Sequence, residues 1–288
     1  MITSVLGFSP FARACGIARR SPMVAIGAAI LILFVTAAIF EGWITRYNPI
    51  AADSLALMQP PSAQHLFGTD ANGMDGFARV LHGIRYAFGI AVPAVAVAML
   101  IGVPVGLLTG YLGGWTDEAL MRGFDAVRVF PSIILALAVV AAAGPSLINV
   151  VLVLGVLDAP VFARLVRAEV LALRSGGFVE SAIAAGNTLP RVLFVHLMPN
   201  ALQGALAQSA VRAAWAVRIS TTLAFLGLGI QPPTPEWGVM IRQGAEYMVT
   251  GQWWIGVFPG IALILLSLGL NLAGDGLADL LDPRRGGG

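Results

Sequence analysis

The sequence predicts an all-α integral membrane protein with six transmembrane helices. Hydrophobic residues make up 58% of the 288 residues and charged residues only 11%, and the mean hydropathy is +0.85. A soluble domain carries about 25% charged residues, so this composition indicates a chain that lies largely in lipid. Uncharged runs long enough to cross about 30 Å of hydrocarbon alternate along the chain with short charged segments.

The first predicted span follows Arg13, Arg19 and Arg20 and begins with the uncharged run from Ser21 to Phe40. This apolar stretch is longer than the core of a cleaved signal peptide, about 7–15 residues, and no clear small-residue cleavage site follows it. We therefore expect residues 1–20 to form a cytoplasmic N-terminal segment. Residues 21–43 are predicted to form an uncleaved helix, and the mixed, polar residues 44–85 an external loop.

Residues 86–275 are predicted to hold the other five helices, and residues 276–288 a cytoplasmic tail. Gly144-Pro145 divides one long uncharged run into two pieces that are too short alone, so the spans on either side must include flanking residues. The predicted spans are Tyr86–Trp115, Ala119–Ala143, Ser146–Val166, Asn200–Ile230 and Trp254–Ala273.

Arginine placement predicts the orientation. All 17 basic residues are arginine, and basic residues concentrate in the cytoplasmic loops of membrane proteins. Arginines lie in the N-terminal segment, in the tail and in the segment between the fourth and fifth spans. Arg79 and Arg85, just outside the second span, oppose this bias. The balance favours cytoplasmic termini.

A stripe of glycines marks one face of the second span. Gly102, Gly106 and Gly110 recur four residues apart, and Pro93 and Pro104 lie in the same span. Small residues at this spacing allow two helix backbones to approach closely in lipid. We therefore expect this face to pack inside a helix bundle.

The segment from Arg164 to Asn200 is the longest polar stretch between strongly apolar ones. Gly176-Gly177, Gly186-Asn187 and Pro199 divide it, which predicts a short helix from Phe178 to Ala185 held between turns, with a left-handed residue at Gly186. Small residues such as Ser181 and Ala182 would let another protein approach the helix backbone, and Phe178 would offer an apolar contact. An ordinary amphipathic connecting loop is the alternative.

The same segment resembles a known sequence element. Glu180-Ser181-Ala182 is followed after three residues by Gly186, and then by Met198-Pro199. This arrangement resembles the EAA loop of permease subunits of binding-protein-dependent ABC importers. In that loop, Glu-Ala-Ala, three residues and a glycine precede a closing apolar-Pro pair after a fixed gap.

The resemblance is to the C-type permease subunit of dipeptide, oligopeptide and nickel importers, and it covers nearly the whole chain from about Pro60. Five motifs occur in order at family-like spacing. They are His65–Asp70, Gly110–Trp115, Ala163–Arg167, Phe225–Gly229 followed by Gln231–Pro235, and Asn271–Leu277 with Leu281–Arg284.

This resemblance implies a type I ABC importer permease fold with a cytoplasmic coupling loop at residues 167–198. It implies a subunit that forms half of a translocation pore for di- or oligopeptides or a related small solute, such as a nickel chelate, an opine or a sugar. The residues that it implies for coupling to the ATPases are Phe178, Glu180, Ser181, Ala182, Gly186 and Pro199.

The resemblance also implies partners in the bacterial inner membrane. These are a homologous second permease subunit, two ABC ATPase subunits that bind ATP and Mg²⁺, an external solute-binding protein and the lipid bilayer. The chain departs from the family pattern at two positions. Met74 stands where the family usually has arginine, and Ser220 stands where an acidic residue is common in the fifth span.

The chain is predicted to be non-catalytic and to carry no cofactor of its own. A P-loop needs a lysine, and the sequence has none. The single Cys15 cannot form an intrachain disulfide, and the three histidines lie in separate segments without ligand spacing, so no metal site is predicted. No basic soluble face points to nucleic acid.

Arg212 and Arg218 lie inside the predicted fifth span, where ionisable residues are costly. One interpretation places them, with Ser220, on a polar path for an anionic or zwitterionic substrate. The other pairs them with nearby polar side chains of the same helix, namely Gln208, Ser209, Thr221 and Thr222. The alternative function is a stand-alone secondary transporter or channel, which is expected to show discontinuous helices or repeated halves.

Overall fold

A computed structural model describes residues 22–281, and these residues form a helical bundle. The predicted N-terminal segment, residues 1–20, and residues 282–288 of the predicted tail lie outside this range. A three-residue helical turn, Leu189–Arg191, and a π-helical segment, Val192–Leu197, lead into α7. The longer helices are α1 (Pro22–Ile44), α2 (Gly76–Leu112), α3 (Gly114–Arg128), α4 (Ser132–Ala143), α5 (Leu147–Leu173), α6 (Gly177–Ala184), α7 (Met198–Phe225), α8 (Trp237–Met248) and α9 (Trp254–Leu281).

Helices α2 and α5 form the centre of the bundle and touch backbone to backbone. A Cβ atom placed on Gly102 would lie 2.5 Å from the Ala159 carbonyl oxygen, and one on Gly106 would lie 2.5 Å from that of Ala163. Such contacts are possible only without a side chain. The predicted close packing of the glycine stripe is therefore confirmed, and its partner is α5.

The same contacts fix the relative direction of the two helices. Gly155 of α5 lies against Val97 of α2, and Gly110 of α2 lies against Val170 of α5, so residue numbers rise together along both helices. Helices α2 and α5 are therefore parallel. The segment between them, α3 and α4, must return the chain to the starting side of the bundle.

This returning segment corrects the predicted third span. It is not one helix from Ala119 to Ala143 but two, α3 and α4, which meet at an angle of 84°. The break falls at Val129–Pro131, because proline has no N–H for a helical hydrogen bond and disfavours the helical conformation in the residue before it. The predicted break at Gly144-Pro145 is present, and Ser146 caps α5 by accepting a hydrogen bond from the Asn149 N–H at 3.1 Å.

The predicted count of six spans is approximate. In the described residues, four helices are long and apolar enough to cross a membrane. The number rises to five if the bent pair of α3 and α4 counts as one span. Helix α7 is the remaining predicted span, and its two arginines and several polar residues make it less apolar than the others. Helix α2 also begins at Gly76, before the predicted span, and α9 continues to Leu281, into the predicted tail.

The other long helices surround this central pair. Helix α9 packs against α7 and α1, and α8 packs against α9 and α7. Glycines again allow close contact, since a Cβ on Gly27 of α1 would lie 2.6 Å from the Cβ of Leu272. Most of α1 stays exposed, with large apolar side chains such as Ile32, Leu33 and Ile39 facing outward. An apolar exposed surface of this kind suits contact with lipid.

Residues 45–75 and the segment around α8 cover one end of the bundle. The Arg79 side chain is 2% exposed, lies 3.4 Å from an Asp70 carboxylate oxygen and donates to the Pro49 carbonyl at 2.9 Å. Trp254 Nε1 donates to the Thr69 carbonyl at 3.1 Å, and Trp237 Nε1 donates to that of Val80 at 3.1 Å. Hydrogen bonds from buried side chains therefore tie this polar segment to the membrane helices.

At this covered end of the bundle, two carboxylates act as helix N-caps. Asp75 accepts from the Ala78 N–H at 2.7 Å at the start of α2, and it also pairs with His65 Nδ1 at 2.8 Å. Glu236 accepts from the Val239 N–H at 3.0 Å at the start of α8. Burial raises the pKa of Glu236 to about 7, although hydrogen bonds from the helix N-terminus favour its charged form.

A leucine at Gly106 is expected to destabilise the bundle by roughly 1–3 kcal/mol or more, because its side chain would enter the space of the α5 backbone. The control is Gly89→Leu on the same helix, since no atom lies within 4 Å of a Cβ placed there. Thermal unfolding in detergent should show a loss for Gly106→Leu and little change for Gly89→Leu. Equal stability of the two variants would remove the packing argument.

The predicted orientation can be tested by cysteine labelling in a Cys15→Ser background. Gln64 and Ser175 are both exposed, on segments that lie at opposite ends of the bundle. An impermeant thiol reagent applied to intact cells should label Gln64→Cys and should label Ser175→Cys only after the cells are opened. Labelling of Ser175→Cys in intact cells would reverse the orientation.

Candidate functional site

Helix α6 is a short helix with one buried and one exposed face. Val179 is fully buried and Ala182 is 6% exposed, and both lie on the face that packs against the π-helical segment. Phe178 is 43% exposed and Ile183 is 50% exposed, and they lie on the two edges of that buried face. An eight-residue helix that leaves two large apolar side chains in the open offers a compact surface for another protein.

The predicted coupling residues do not all lie on that exposed face. Glu180 and Ser181 are exposed, and the Ser181 hydroxyl donates to the Gly177 carbonyl at 2.7 Å. Ala182 is buried within the chain, so its small side chain lets α6 approach the rest of this protein rather than a partner. The sequence shows that Ala182 is small but not which face of the helix packs.

The end of α6 is fixed by a left-handed turn at Gly186. The φ angle of Gly186 is +75°, a conformation in which a Cβ atom is strained. Its N–H donates to the Ile183 carbonyl at 2.9 Å, and the Asn187 N–H donates to that of Ala182 at 3.2 Å. This pair of bonds is the Schellman motif, and it confirms the left-handed residue expected at Gly186.

A π-helical segment, Val192–Leu197, joins this turn to α7. Val192, Leu193 and Leu197 are buried in the same apolar cluster as Val179 of α6. Pro199 is the second residue of α7, directly after the π-helical segment, and it has no N–H to donate to the helical turn before it. π-Helical turns are uncommon and are often found at functional sites. No pattern in the sequence signals this one.

Ion pairs join α3 to the end of α5, close to α6. The Arg167 guanidinium donates two hydrogen bonds of 2.6 Å to the two carboxylate oxygens of Asp117, and Arg164 pairs with Asp125. The Arg174 side chain, just after α5, reaches the Gly110 carbonyl at 3.4 Å. Arg164 and Arg167 are part of a motif that carried the family resemblance, and their partners lie far away in the sequence.

Arg212 forms a two-pronged ion pair with Asp158 near the middle of α5 and α7. The distance from Arg212 Nε to Asp158 Oδ2 is 2.8 Å, and Nη2 bonds the second carboxylate oxygen. The Arg212 guanidinium also lies 4.8 Å from the centre of the Trp215 ring. The partner of Arg212 is therefore on another helix, and the predicted pairing of its side chain with Gln208 or Ser209 is wrong.

Arg218 and Ser220 lie on α7 beyond this pair. Arg218 is exposed, and among the described residues no carboxylate lies within 4.0 Å of it, while Thr222 donates to its backbone carbonyl. Ser220 is buried and donates to the Val217 carbonyl at 2.9 Å. Arg212 thus has a carboxylate partner, whereas Arg218 has none among the described residues. The Ser220 hydroxyl bonds to a carbonyl of its own helix.

The comparisons with known proteins place the chain in a family. Residues 102–287 match the family model described as "Binding-protein-dependent transport system inner membrane component". The chain belongs to this family. The predictions of an importer permease subunit and of its all-α membrane fold are therefore confirmed, and nothing in the comparisons supports a stand-alone transporter.

Several relatives are similar over almost their entire length. The chain is 39% identical to the probable D,D-dipeptide transport system permease protein DdpC of Escherichia coli, covering 93% of this chain and 90% of that protein. It is 37% identical to the dipeptide transport system permease protein DppC of Alkalihalophilus pseudofirmus, over 96% and 90%. It is 38% identical to the glutathione transport system permease protein GsiD of Pectobacterium atrosepticum, over 91% and 87%.

A solved structure supports the fold. A chain of the MetNI methionine ABC transporter in inward-facing conformations superimposes with a TM-score of 0.57 at 21% sequence identity. The match covers 71% of this chain and 96% of that one. At this identity the likeness shows a shared fold, and it agrees with the predicted importer permease architecture.

The ion pair between Asp158 and Arg212 gives a testable energetic consequence. Replacing Arg212 with alanine leaves the buried Asp158 charge without its partner, so this change should cost about 3–5 kcal/mol of unfolding free energy. Asp158→Ala should cost less, because the Arg212 side chain is 18% exposed. The double replacement removes both charges. It should therefore cost clearly less than the sum of the single changes, as measured by unfolding of the detergent-purified protein. Strictly additive losses would show that the two side chains do not interact.

Proposed function

We propose that this chain is the permease subunit of an importer for short peptides. The observation that supports this class is that relatives similar over nine-tenths of the chain bear names for the transport of dipeptides and of glutathione. All of these named solutes are short peptides with a free carboxylate. The chain would pair with a homologous permease subunit, so that each contributes half of one pore.

The proposed partners follow from the family. Two ABC ATPase subunits would bind ATP and Mg²⁺ on the cytoplasmic side, and an external solute-binding protein would deliver the peptide. This chain would lie in the bacterial inner membrane and would not itself hydrolyse ATP. Closure of the ATPases would move the two permease subunits between inward-open and outward-open states.

Helix α6 is the proposed contact with an ATPase. Phe178 and Ile183 present the apolar part of the contact, and Glu180 presents a charge at the first turn of the helix. Val179 and Ala182, on the buried face between them, hold the helix on the π-helical segment. A displacement of α6 would therefore act on the segment that leads into α7.

Ser181, Gly186 and Pro199 complete this proposed coupling unit. Ser181 lies on the exposed side of α6, Gly186 sets the turn that ends the helix, and Pro199 marks the start of α7. No neighbouring atom lies within 4 Å of a Cβ atom placed on Gly186, so the turn is itself open to contact. The positive φ angle at position 186, rather than close packing around it, is what requires glycine.

Valine at Gly186 is expected to lower both the stimulation of ATP hydrolysis and the rate of transport. A β-branched side chain at a φ of +75° strains the turn by about 1 kcal/mol or more and changes the direction of α6. The matched control is Gly177→Val, because Gly177 lies at the other end of α6, has ordinary backbone angles and also has open space around it. ATPase retention, stimulated ATP hydrolysis and peptide uptake are measured together in the reconstituted complex.

In Gly186→Val, uptake and stimulated hydrolysis should fall while membrane insertion and the peptide affinity of the binding protein stay unchanged. Glu180→Lys should act in the same direction through reversal of the exposed charge. Gly177→Val should retain most activity. Normal uptake in both Gly186→Val and Glu180→Lys would reject the docking role, and lost uptake with normal ATPase stimulation would place these residues elsewhere in the transport cycle.

A further inference from the structure

A half-open cavity of about 420 Å³ lies where α3 bends into α4. The bend supplies Arg128, Phe130 and Ser132 to its wall, and α7 supplies Arg212 and Trp215. Asp158 of α5 lies beside Arg212 on the same wall. The volume falls within the range of about 300–1,000 Å³ that is usual for small-molecule sites.

The charges around this cavity leave a surplus positive charge. Two arginines and one carboxylate line it, so the charged side chains sum to one positive charge. Arg128 is exposed, and no carboxylate of the described residues lies within 4.0 Å of its guanidinium. Asp158 and Arg212 lie near the middles of α5 and α7 and pair with each other, so the surplus charge is that of Arg128 on the exposed bend.

The geometry of Arg212 leaves it able to bind a second anion. A guanidinium has five N–H donors, and Asp158 occupies Nε and one N–H of Nη2. The two N–H groups of Nη1 and one of Nη2 remain for a ligand. Asp158 and the Trp215 ring hold the guanidinium in place, so that it does not have to be ordered by the ligand itself.

From this arrangement we propose that the cavity binds the terminal carboxylate of the translocating peptide, with Arg128 and Arg212 as the two cationic contacts. Both guanidinium groups suit a planar carboxylate, and Phe130 and Trp215 supply apolar surface for the peptide backbone and side chains. This inference rests on the proposed function as a peptide importer. It assigns one end of the peptide to this cavity.

The test uses protection of an engineered cysteine in the importer complex purified with its partner subunits. Cys15→Ser removes the native thiol, and Ser132→Cys places a reporter on the cavity wall. The reporter reacts with N-ethylmaleimide, an uncharged reagent that does not compete for the arginines. Ala-Ala should slow this reaction severalfold, whereas the C-terminal amide of the same dipeptide should have little effect.

Arg128→Gln removes one proposed contact at an exposed position, so the protein should still fold. It should raise the Ala-Ala concentration that gives half-maximal protection by about tenfold or more, because a charge-assisted hydrogen bond is lost. The control is Arg122→Gln, which changes the same residue type on the same helix, outside this cavity, where Arg122 pairs with Glu118. This control should leave protection unchanged.

The proposed site is rejected if the amide protects the reporter cysteine as well as the free dipeptide does. It is rejected too if Ala-Ala protects the reporter in the Arg128→Gln variant as well as in the parent. It is also rejected if Ala-Ala gives no protection in a complex that takes up Ala-Ala. Uptake by the reconstituted complex tests the proposed function separately. Uptake without protection rejects only the cavity, whereas a complex that assembles but transports no short peptide rejects the peptide class itself.

Discussion

The close approach of α2 and α5 is the constraint on which the rest of the structure depends. Lipid offers no hydrophobic driving force between two apolar helices, so their association relies on contact distance and packing. Glycines at positions 102, 106 and 110 of α2 and at position 155 of α5 bring the two backbones together. The resulting parallel pair fixes where α3 and α4 must return and where Asp158 lies.

The positions of the ion pairs in the bundle depend on this helix packing. Asp158 and Arg212 lie on facing helices and satisfy each other, which lowers the cost of placing charges at this depth. Arg167 and Asp117 do the same near the end of α5, in a more exposed setting where such a pair contributes less. Arg128 and Arg218 have no such partner among the described residues. In the proposed peptide cavity, the substrate carboxylate would supply such a partner for Arg128.

The sequence was sufficient for features that depend on local chemistry. The apolar runs predict the helices, the glycine spacing predicts a packing face, and a glycine after a short helix predicts the left-handed turn at Gly186. The five spaced motifs predict the family, and the family model confirms it. Each of these signals lies within a few turns of helix or within one recognisable motif.

The features that the sequence missed depend on tertiary contacts. Arg212 pairs with a residue 54 positions away, which no local pattern indicates. Ala182 is small enough for an interface, but only the packing of α6 shows that it faces its own chain. The predicted third span ran through Pro131 and missed the break there, and the angle of 84° depends on how α4 packs against α5 and α7.

The same contacts suggest how the proposed coupling reaches the proposed substrate cavity. Helix α6 packs on the π-helical segment, and that segment continues directly into α7, which carries Arg212 and Trp215. Helix α5 leads into α6 from the other side and carries Asp158. A movement of α6 would therefore act on both helices that hold the ion pair. In this proposal one displacement both transmits the ATPase movement and changes the shape of the cavity, because the two sites share the same pair of helices.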